Sequence, residues 1–497
     1  MRSEHNYKTI VILLLCLLTI ATYYNSLQNQ FLTNWDDYKY VVKNPDIRGF
    51  TLTNIQAAFS SYYVGNYAPI QIVSYMLDYT FWGINPTGYI GMNLILHALN
   101  GALLFLVVEK ISSNVRIAFI SAFIFLLHPV QVESVIWVSQ RKSLLAMLFF
   151  LLSLLSYIRY RDIRATHRSA YYIVSLITFL CALLSKSVVV ILPLVLPLYD
   201  ICFLPRENRG KILLNKIPYA VAAVAIAALA LKSQAYDVGG GIVPEYPGDT
   251  SASSFMTMLT VFSKYAGMLI WPANLSAFYS PPIKTSIDGH VALAGFFFVL
   301  VCFNIYYLWR TNRTLLFWAA LVPLGLLPVA QIIPLSTIMN DRYLYFPLLG
   351  CAVLFAHGAL YCTDRVTSFK KWGEVVIICL ALSPLPILSW QRTFVWHDSL
   401  TLWTDAYQKT ENYITAAGRG NALAQQGKFD DAIIMYEKSL RMEPTCEEAL
   451  RGLGAIYLNR GDYGRAIEYL QRYVTCFPES ALAKRMLGFA YSQRKKM

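Results

Sequence analysis

Eleven runs of apolar residues occupy the first four-fifths of this chain, each near the roughly 20 residues that a helix needs to cross a bilayer. The first covers residues 7–24, and the others centre near Leu99, Ala122, Leu148, Leu176, Leu194, Ala223, Val299, Leu321, Leu354 and Leu380. Hydrocarbon offers peptide groups no hydrogen-bond partner, so such a chain is confined to helices that satisfy their own backbones. Composition agrees, because 56% hydrophobic and 14% charged residues leave too little polar surface for a soluble globule of 497 residues. The first run follows a short basic start (Arg2, Lys8) and no small-x-small cleavage motif comes after it, which predicts an uncleaved anchor.

A net charge of +13 would point to nucleic acid in a soluble protein, but here the cations sort by loop. Arg159, Arg161, Arg164 and Arg168 form one cluster, Arg206, Arg209, Lys211 and Lys216 a second, Arg310 and Arg313 a third, and Arg365, Lys370 and Lys371 a fourth. They fall in every second loop, the pattern of cytoplasmic loops in a membrane protein, and no nucleic-acid partner is expected. This predicts a cytoplasmic amino terminus and, after an odd number of spans, a carboxy-terminal segment on the far side. The apolar stretch 255–271 then has to re-enter or lie at the interface, since counting it as a span would turn Arg310 and Arg313 outward.

Past Trp390 the pattern changes to a 34-residue repeat. Gly420, Gly454 and Gly488 share one phase, followed by Leu423, Tyr457 and Tyr491, then Ala432 and Ala466, then Pro444 and Pro478. Small residues where two helices of a hairpin touch, and a proline that ends the second helix, are the tetratricopeptide signature. Helix pairs are expected at 416–426 with 430–441 and at 447–459 with 463–476, with a polar capping helix at 480–493 and an orphan helix at 396–406. The chain therefore divides into a membrane domain over residues 1–390, a connecting helix over 391–412 and a repeat domain over 413–497. Cys446 and Cys476 lie in the repeats; the other seven cysteines have neither metal nor redox spacing.

Residues 25–89 form the first outer loop, and it opens with Asp36 and Asp37 beside Phe31 and Trp35, whose rings favour the membrane interface. A carboxylate held there can reach a reactive group on a lipid head, where it would take the proton of an attacking hydroxyl while a cation receives a departing phosphate. Asp is equally a capping and turn residue, and that reading of the pair stays open. Segments 54–61 and 70–81 have helical amphipathic spacing and are expected to lie flat on the membrane.

Ionisable groups in or near hydrocarbon are costly and mark candidate sites. By the predicted parity His128, Glu133, Arg141, Lys142, Lys186 and Arg342 share the outer rim with Asp36 and Asp37. An outward cluster of cations runs against the charge bias of the other loops, and a phosphate or diphosphate is its natural ligand. His97 and Asn100 share one face of the second span, as a ligand pair or as a packed histidine bonded to its neighbour. Asp341 and Tyr343 flank Arg342 as supporting residues, and Asp200 on the inner side reads as the structural partner of a nearby arginine. No tight metal motif is present; the paired aspartates can hold one divalent cation with a phosphate but do not require it. Neither a phosphate-binding glycine loop nor a dinucleotide fingerprint occurs, which argues against soluble nucleotides as direct substrates.

The segments WDDYKYVVKNP from Trp35, LHPVQVESVIWVSQRKSLLA from Leu127, SKSVVVILPLVLPLYD from Ser185 and NDRYLYFPLLG from Asn340 carry a resemblance. Through them the chain resembles bacterial multispanning glycosyltransferases of the GT-C class with carboxy-terminal tetratricopeptide repeats, similar in turn to the transmembrane and tetratricopeptide repeat O-mannosyltransferases. The resemblance implies an all-α fold, a polytopic GT-C membrane domain of about 11 spans followed by a short tetratricopeptide α-solenoid. It also implies an inverting transferase that takes a sugar from a polyprenyl-phosphate carrier, with Asp36 as general base and Asp37 as helper. His128, Glu133, Arg141 and Arg342 would line the donor cleft, with Lys186 near the phosphate. Three positions depart from the related pattern: Ala68-Pro69 stands for His-Pro, Arg141-Lys142-Ser143 for Arg-Lys-Asp, and Lys186-Ser187 for Lys-Pro.

The expected activity is transfer to a Ser or Thr hydroxyl of an exported protein, recruited by the repeat groove, at a bacterial inner membrane. The rival readings are a non-catalytic membrane scaffold and a GT-C enzyme with a lipid or oligosaccharide acceptor.

Overall fold

A computed structural model describes residues 2–162, 164–205, 213–237, 246–366 and 371–496. Arg206, Arg209, Lys211 and Lys370 of the inner-loop clusters lie outside them. Among the described residues the protein is helical throughout, and the one β-bridge pairs Tyr63 with Asn66.

The chain divides into two compact units. The first comprises Met1–Asn29, Asp36–Leu275 and Ser280–Phe394, and the second Gln30–Trp35, Ser276–Tyr279 and Val395–Met497. Among the described residues seven helices are long and apolar enough to cross a membrane: Tyr7–Gln28, Pro86–Ser112, Val138–Arg161, Arg168–Ser185, Leu214–Gln234, Gly289–Thr311 and Val376–Val395. An eighth is the pair Val115–Leu127 and Pro129–Ile136, bent by 52° at His128. The remaining expected centres fall on the shorter apolar helices Ser187–Phe203, Arg313–Val329 and Pro347–Thr363. Two of these carry an internal proline, Pro197 and Pro323, which removes a backbone donor and crowds the preceding turn. The stretch expected to re-enter forms the helix Ser251–Ile270.

Helix starts follow local chemistry. Asn85, Asn114, Asp288 and Asn312 each accept a backbone N–H of the first turn from the residue before the helix. Asn85 is followed by Pro86, whose fixed φ suits the first helical position. The two amphipathic segments of the outer loop form helices Leu52–Ser60 and Pro69–Trp82. Asp200 pairs with Arg161 (3.2 Å) and Lys216 and accepts the Tyr157 hydroxyl (2.8 Å), the structural role expected of it.

The second unit stacks helical hairpins, Tyr413–Gln425 with Phe429–Met442 and Glu447–Asn459 with Tyr463–Cys476, then Ala481–Arg494. Gly427 (φ 76°) and Gly461 (φ 74°) make the intra-hairpin turns, where a left-handed backbone favours glycine. The phased glycines sit where helices touch: a Cβ at Gly420 would stand 2.8 Å from the Tyr436 ring, and one at Gly454 would stand 2.5 Å from Leu470. Gly488 ends the series with open space beside it. The orphan helix forms as Ser399–Lys409, capped by Asp398. Trp35, expected at the membrane interface, packs within this unit against Trp396 (ring centroids 6.4 Å) and Trp403 (5.4 Å). Cys446 is buried, Cys476 is exposed, and both are free thiols.

Candidate active site

The residues expected at the outer rim gather around one irregular stretch of the membrane unit. After the bend at His128 the backbone makes three short turns, Pro129–Gln131, Val132–Ile136 and Val138–Gln140, before the long helix begins at Arg141. Such a path survives in a membrane protein only where protein groups satisfy its peptides. Helix Pro69–Trp82 does so here: Tyr75 donates its hydroxyl to the Val138 carbonyl (2.7 Å), and Gln71 donates to the Ser139 carbonyl (2.9 Å).

His128 stabilises the bend. Its Nδ1 accepts the Val130 N–H (3.3 Å), so Nε2 carries the proton and donates to the Leu269 carbonyl (3.1 Å). Both nitrogens are thus engaged within the fold rather than toward a ligand. Arg141 is likewise committed: its guanidinium donates to Asn93 Oδ1 (2.7 Å), the Tyr89 carbonyl (2.6 Å) and the Asp78 carboxylate, and the whole side chain is buried. Burial pushes the Asp78 carboxyl up, and the Arg141 charge opposes it. This places Arg141 as a brace between helices and not as a phosphate contact. No motif marks its neighbours Asp78 and Asn93 in the sequence; the one carboxylate within the amphipathic segment 70–81 is the signal that points to Asp78.

The acidic pair is split in role. Asp37 is buried and accepts the Ser139 N–H (3.0 Å) and the Ser139 hydroxyl, so it ties the outer loop to the irregular stretch. Asp36 is half-buried, and its charge acts on both Lys142 and Arg342. Lys142 lies over the Tyr40 ring at 5.2 Å, with its ammonium 3.4 Å from the Tyr40 hydroxyl. Glu133 accepts the Arg342 backbone N–H (3.1 Å) and guanidinium (2.6 Å), and Arg342 lies 5.5 Å from the Trp137 ring. Burial opposes the Arg342 charge, but Glu133, Tyr343 and Asp36 outweigh it and hold the guanidinium above its ordinary value.

Lys186 completes the group. It stands between two helices, donates to Ser143 Oγ (2.8 Å) and lies 3.5 Å from Gln140 Oε1; among the described residues it makes no ion pair. Burial, then the like charges of Lys142 and Arg342, hold it well below the ordinary lysine value against the pull of Glu133. With Lys142 it lines a narrow cleft of about 20 Å³, room for roughly one water, together with Ala68 and Ser187. All three positions that depart from the related pattern therefore surround one ammonium: Ala68 and Ser187 line its cleft, and Ser143 holds it.

The supporting residues take other places. Asp341 is buried, with Arg392 4.0 Å away, and Tyr343 bonds to Thr337 Oγ1 (2.6 Å). His97 is fully buried, with Nδ1 3.0 Å from the Tyr345 hydroxyl and Nε2 3.0 Å from the Leu126 carbonyl. Asn100 reaches the same hydroxyl (3.1 Å), so the two are joined through Tyr345 and pack the core. Among the described residues no group of three or more His, Cys, Asp or Glu side chains is placed to hold a metal ion.

The cluster is chemically suited to an anionic ligand. Three cations, Lys142, Lys186 and Arg342, face two carboxylates, Asp36 and Glu133, and Glu133 is already paired. An incoming phosphate would relieve repulsion among the cations.

Comparison with known proteins finds a repeat family model, curated relatives and solved structures to which the chain is similar. The tetratricopeptide repeat family model matches residues 418–481. Human protein O-mannosyl-transferase TMTC3 is 23% identical over 88% of this chain and 52% of its own length. Human protein O-mannosyl-transferase TMTC1 is 25% identical over 87% of this chain and 55% of its own. The chain thus spans about half the length of the curated relatives it matches. Among solved structures, the Archaeoglobus fulgidus oligosaccharyltransferase tethered with an acceptor peptide superposes with a TM-score of 0.46 at 14% identity, over 86% of this chain and 58% of that one. The relatives are protein O-mannosyl-transferases, and the architecture is an all-α, multi-pass membrane unit with a carboxy-terminal tetratricopeptide-repeat unit.

Proposed function

We propose that this protein is a membrane glycosyltransferase that moves a sugar from a polyprenyl-phosphate carrier to a Ser or Thr hydroxyl of an exported protein. The observation that carries the reading is the cluster in which Asp36 shares its electrostatic environment with Lys142 and Arg342, and Lys186 stands beside them without a carboxylate partner among the described residues. Asp36 takes the proton as the acceptor oxygen bonds to the anomeric carbon. The sugar–phosphate bond breaks on the opposite face, so configuration inverts and a β-linked donor yields an α-linked product. Lys142, Lys186 and Arg342 stabilise the phosphate as its charge grows. Arg141 and Asp37 keep the irregular stretch in place so that these groups stay aimed.

The repeat unit recruits the acceptor polypeptide, and the site faces away from the cytoplasm at a bacterial inner membrane. The names of the relatives support protein as acceptor, and the positive loops support the orientation. The test is glycoproteomics on cells carrying the wild-type chain, Asp36→Asn or a truncation after Trp396. We expect exported proteins to lose hexose-sized mass increments with both variants. Full glycosylation with Asp36→Asn would favour a scaffold, and transfer that survives truncation would favour a lipid or oligosaccharide acceptor.

A further inference from the structure

We propose that the cleft between helices Ser251–Ile270 and Gly289–Thr311 binds an anionic phospholipid of the surrounding bilayer. This cavity of about 800 Å³ shares no lining residue with the Lys142–Lys186 cleft. One side of its wall is polar and cationic, with Lys264, Lys284 and His290, and the rest is apolar, with Ile270, Phe297 and Leu300. A phosphodiester with hydrocarbon chains has the same division.

Among the described residues the charges do not cancel. Lys284 pairs with Asp288 (2.5 Å), and that carboxylate is also occupied in capping the helix through the Val291 N–H (2.8 Å). Lys264 makes no ion pair among the described residues, so the cleft keeps an excess positive charge, and His290 adds a further polar group. Access is lateral: along Gly289–Thr311 the side chains of Leu293, Phe296, Val299 and Phe303 are exposed on a helix whose mean hydropathy of 2.2 is the highest among the candidate spans. A lipid diffusing in the bilayer therefore meets the apolar wall directly, and its headgroup reaches the lysines. A zwitterionic lipid brings its own cation toward Lys264 and gains less, so the charge selects phosphatidylglycerol over phosphatidylcholine. Near-surface lysines favour anionic lipid by an amount that predicts roughly five- to tenfold preference here.

Native mass spectrometry of the full chain in detergent, with phosphatidylglycerol and phosphatidylcholine added at equal concentration, tests this. Wild type should retain phosphatidylglycerol by that margin. Lys264→Gln with Lys284→Gln should bring the two lipids to parity, and Lys264→Arg with Lys284→Arg should keep the preference. Gly267 lines the cleft and has nothing within 4 Å of an added Cβ, so Gly267→Leu should extend into the apolar region and lower occupancy by either lipid. Equal binding by wild type, an undiminished preference in the double glutamine variant that elutes as a monodisperse species, or displacement of phosphatidylglycerol by equimolar polyprenyl phosphate would each overturn the assignment.

Discussion

Replacing Ser143 by Asp tests whether Lys186 holds the carrier phosphate through its charge. The ammonium lies 2.8 Å from Ser143 Oγ, so a carboxylate at that position would bring its oxygens within about 4 Å. At an effective dielectric constant of about 20, opposite unit charges at that distance attract by roughly 4 kcal/mol. Desolvation of the new carboxylate removes a large share, on the order of half. The remaining 2 kcal/mol or so favours the charged ammonium, so the midpoint at which Lys186 loses its proton moves upward. The sign follows from the wild-type site. Lys186 is held well below the ordinary lysine value, so its charge is complete below that depressed midpoint and disappears as pH rises through it. A sugar phosphodiester keeps its single charge over the same range, so the KM for the lipid-linked donor should climb with pH in wild type because of the protein. Between pH 6 and 10, Ser143→Asp should keep KM low to a higher pH, whereas Ser143→Asn should match wild type. Lys186→Gln should raise KM and flatten the profile. A wild-type KM that is independent of pH, or a Ser143→Asp profile that superposes on it, would refute the argument.

Arg141→Met leaves Asp78 buried without its partner and should destabilise the protein by about 3–5 kcal/mol, read as a lower thermal transition in detergent, with Asp78→Leu on top restoring most of the loss. In the repeat unit Gly454→Ala drives a methyl into Leu470 and should cost about 1–3 kcal/mol, whereas Gly488→Ala has free space and should gain up to about 1 kcal/mol from helix propensity. Chemical denaturation followed by circular dichroism separates the two, and equal effects would discard the helix-contact explanation. Chelation with EDTA should leave sugar transfer within about twofold of the untreated rate, because three cations already meet the phosphate; loss of activity restored by a divalent ion would assign the paired aspartates a metal.

Periodicity made the architecture legible. Each apolar run expected as a span lies on an apolar helix, because a bilayer leaves the backbone no other way to satisfy its peptides. The 34-residue phase placed the hairpins to within a few residues, since Gly420 and Gly454 stand where another helix presses close and a larger residue would clash. The site was legible by residue type and not by role. His128, Arg141 and Lys186 look alike in the sequence as polar groups at a membrane rim. His128 bonds to Leu269, a residue 141 positions away, and Arg141 to Asp78, 63 positions away, and nothing local pairs either residue with its partner. Trp35 reads as an interfacial ring until Trp396 and Trp403 are seen around it.

The amino-acid sequence alone determined that this protein is a bundle of membrane helices followed by a helical repeat, because solvent and helix periodicity act on residues one at a time or a turn apart. Which cations are spent on holding the fold and which stay available to a phosphate was decided only in three dimensions. That distinction depends on whether a carboxylate from a distant segment arrives within hydrogen-bonding reach. Asp78 arrives beside Arg141; beside Lys186, Ser143 and Gln140 arrive instead.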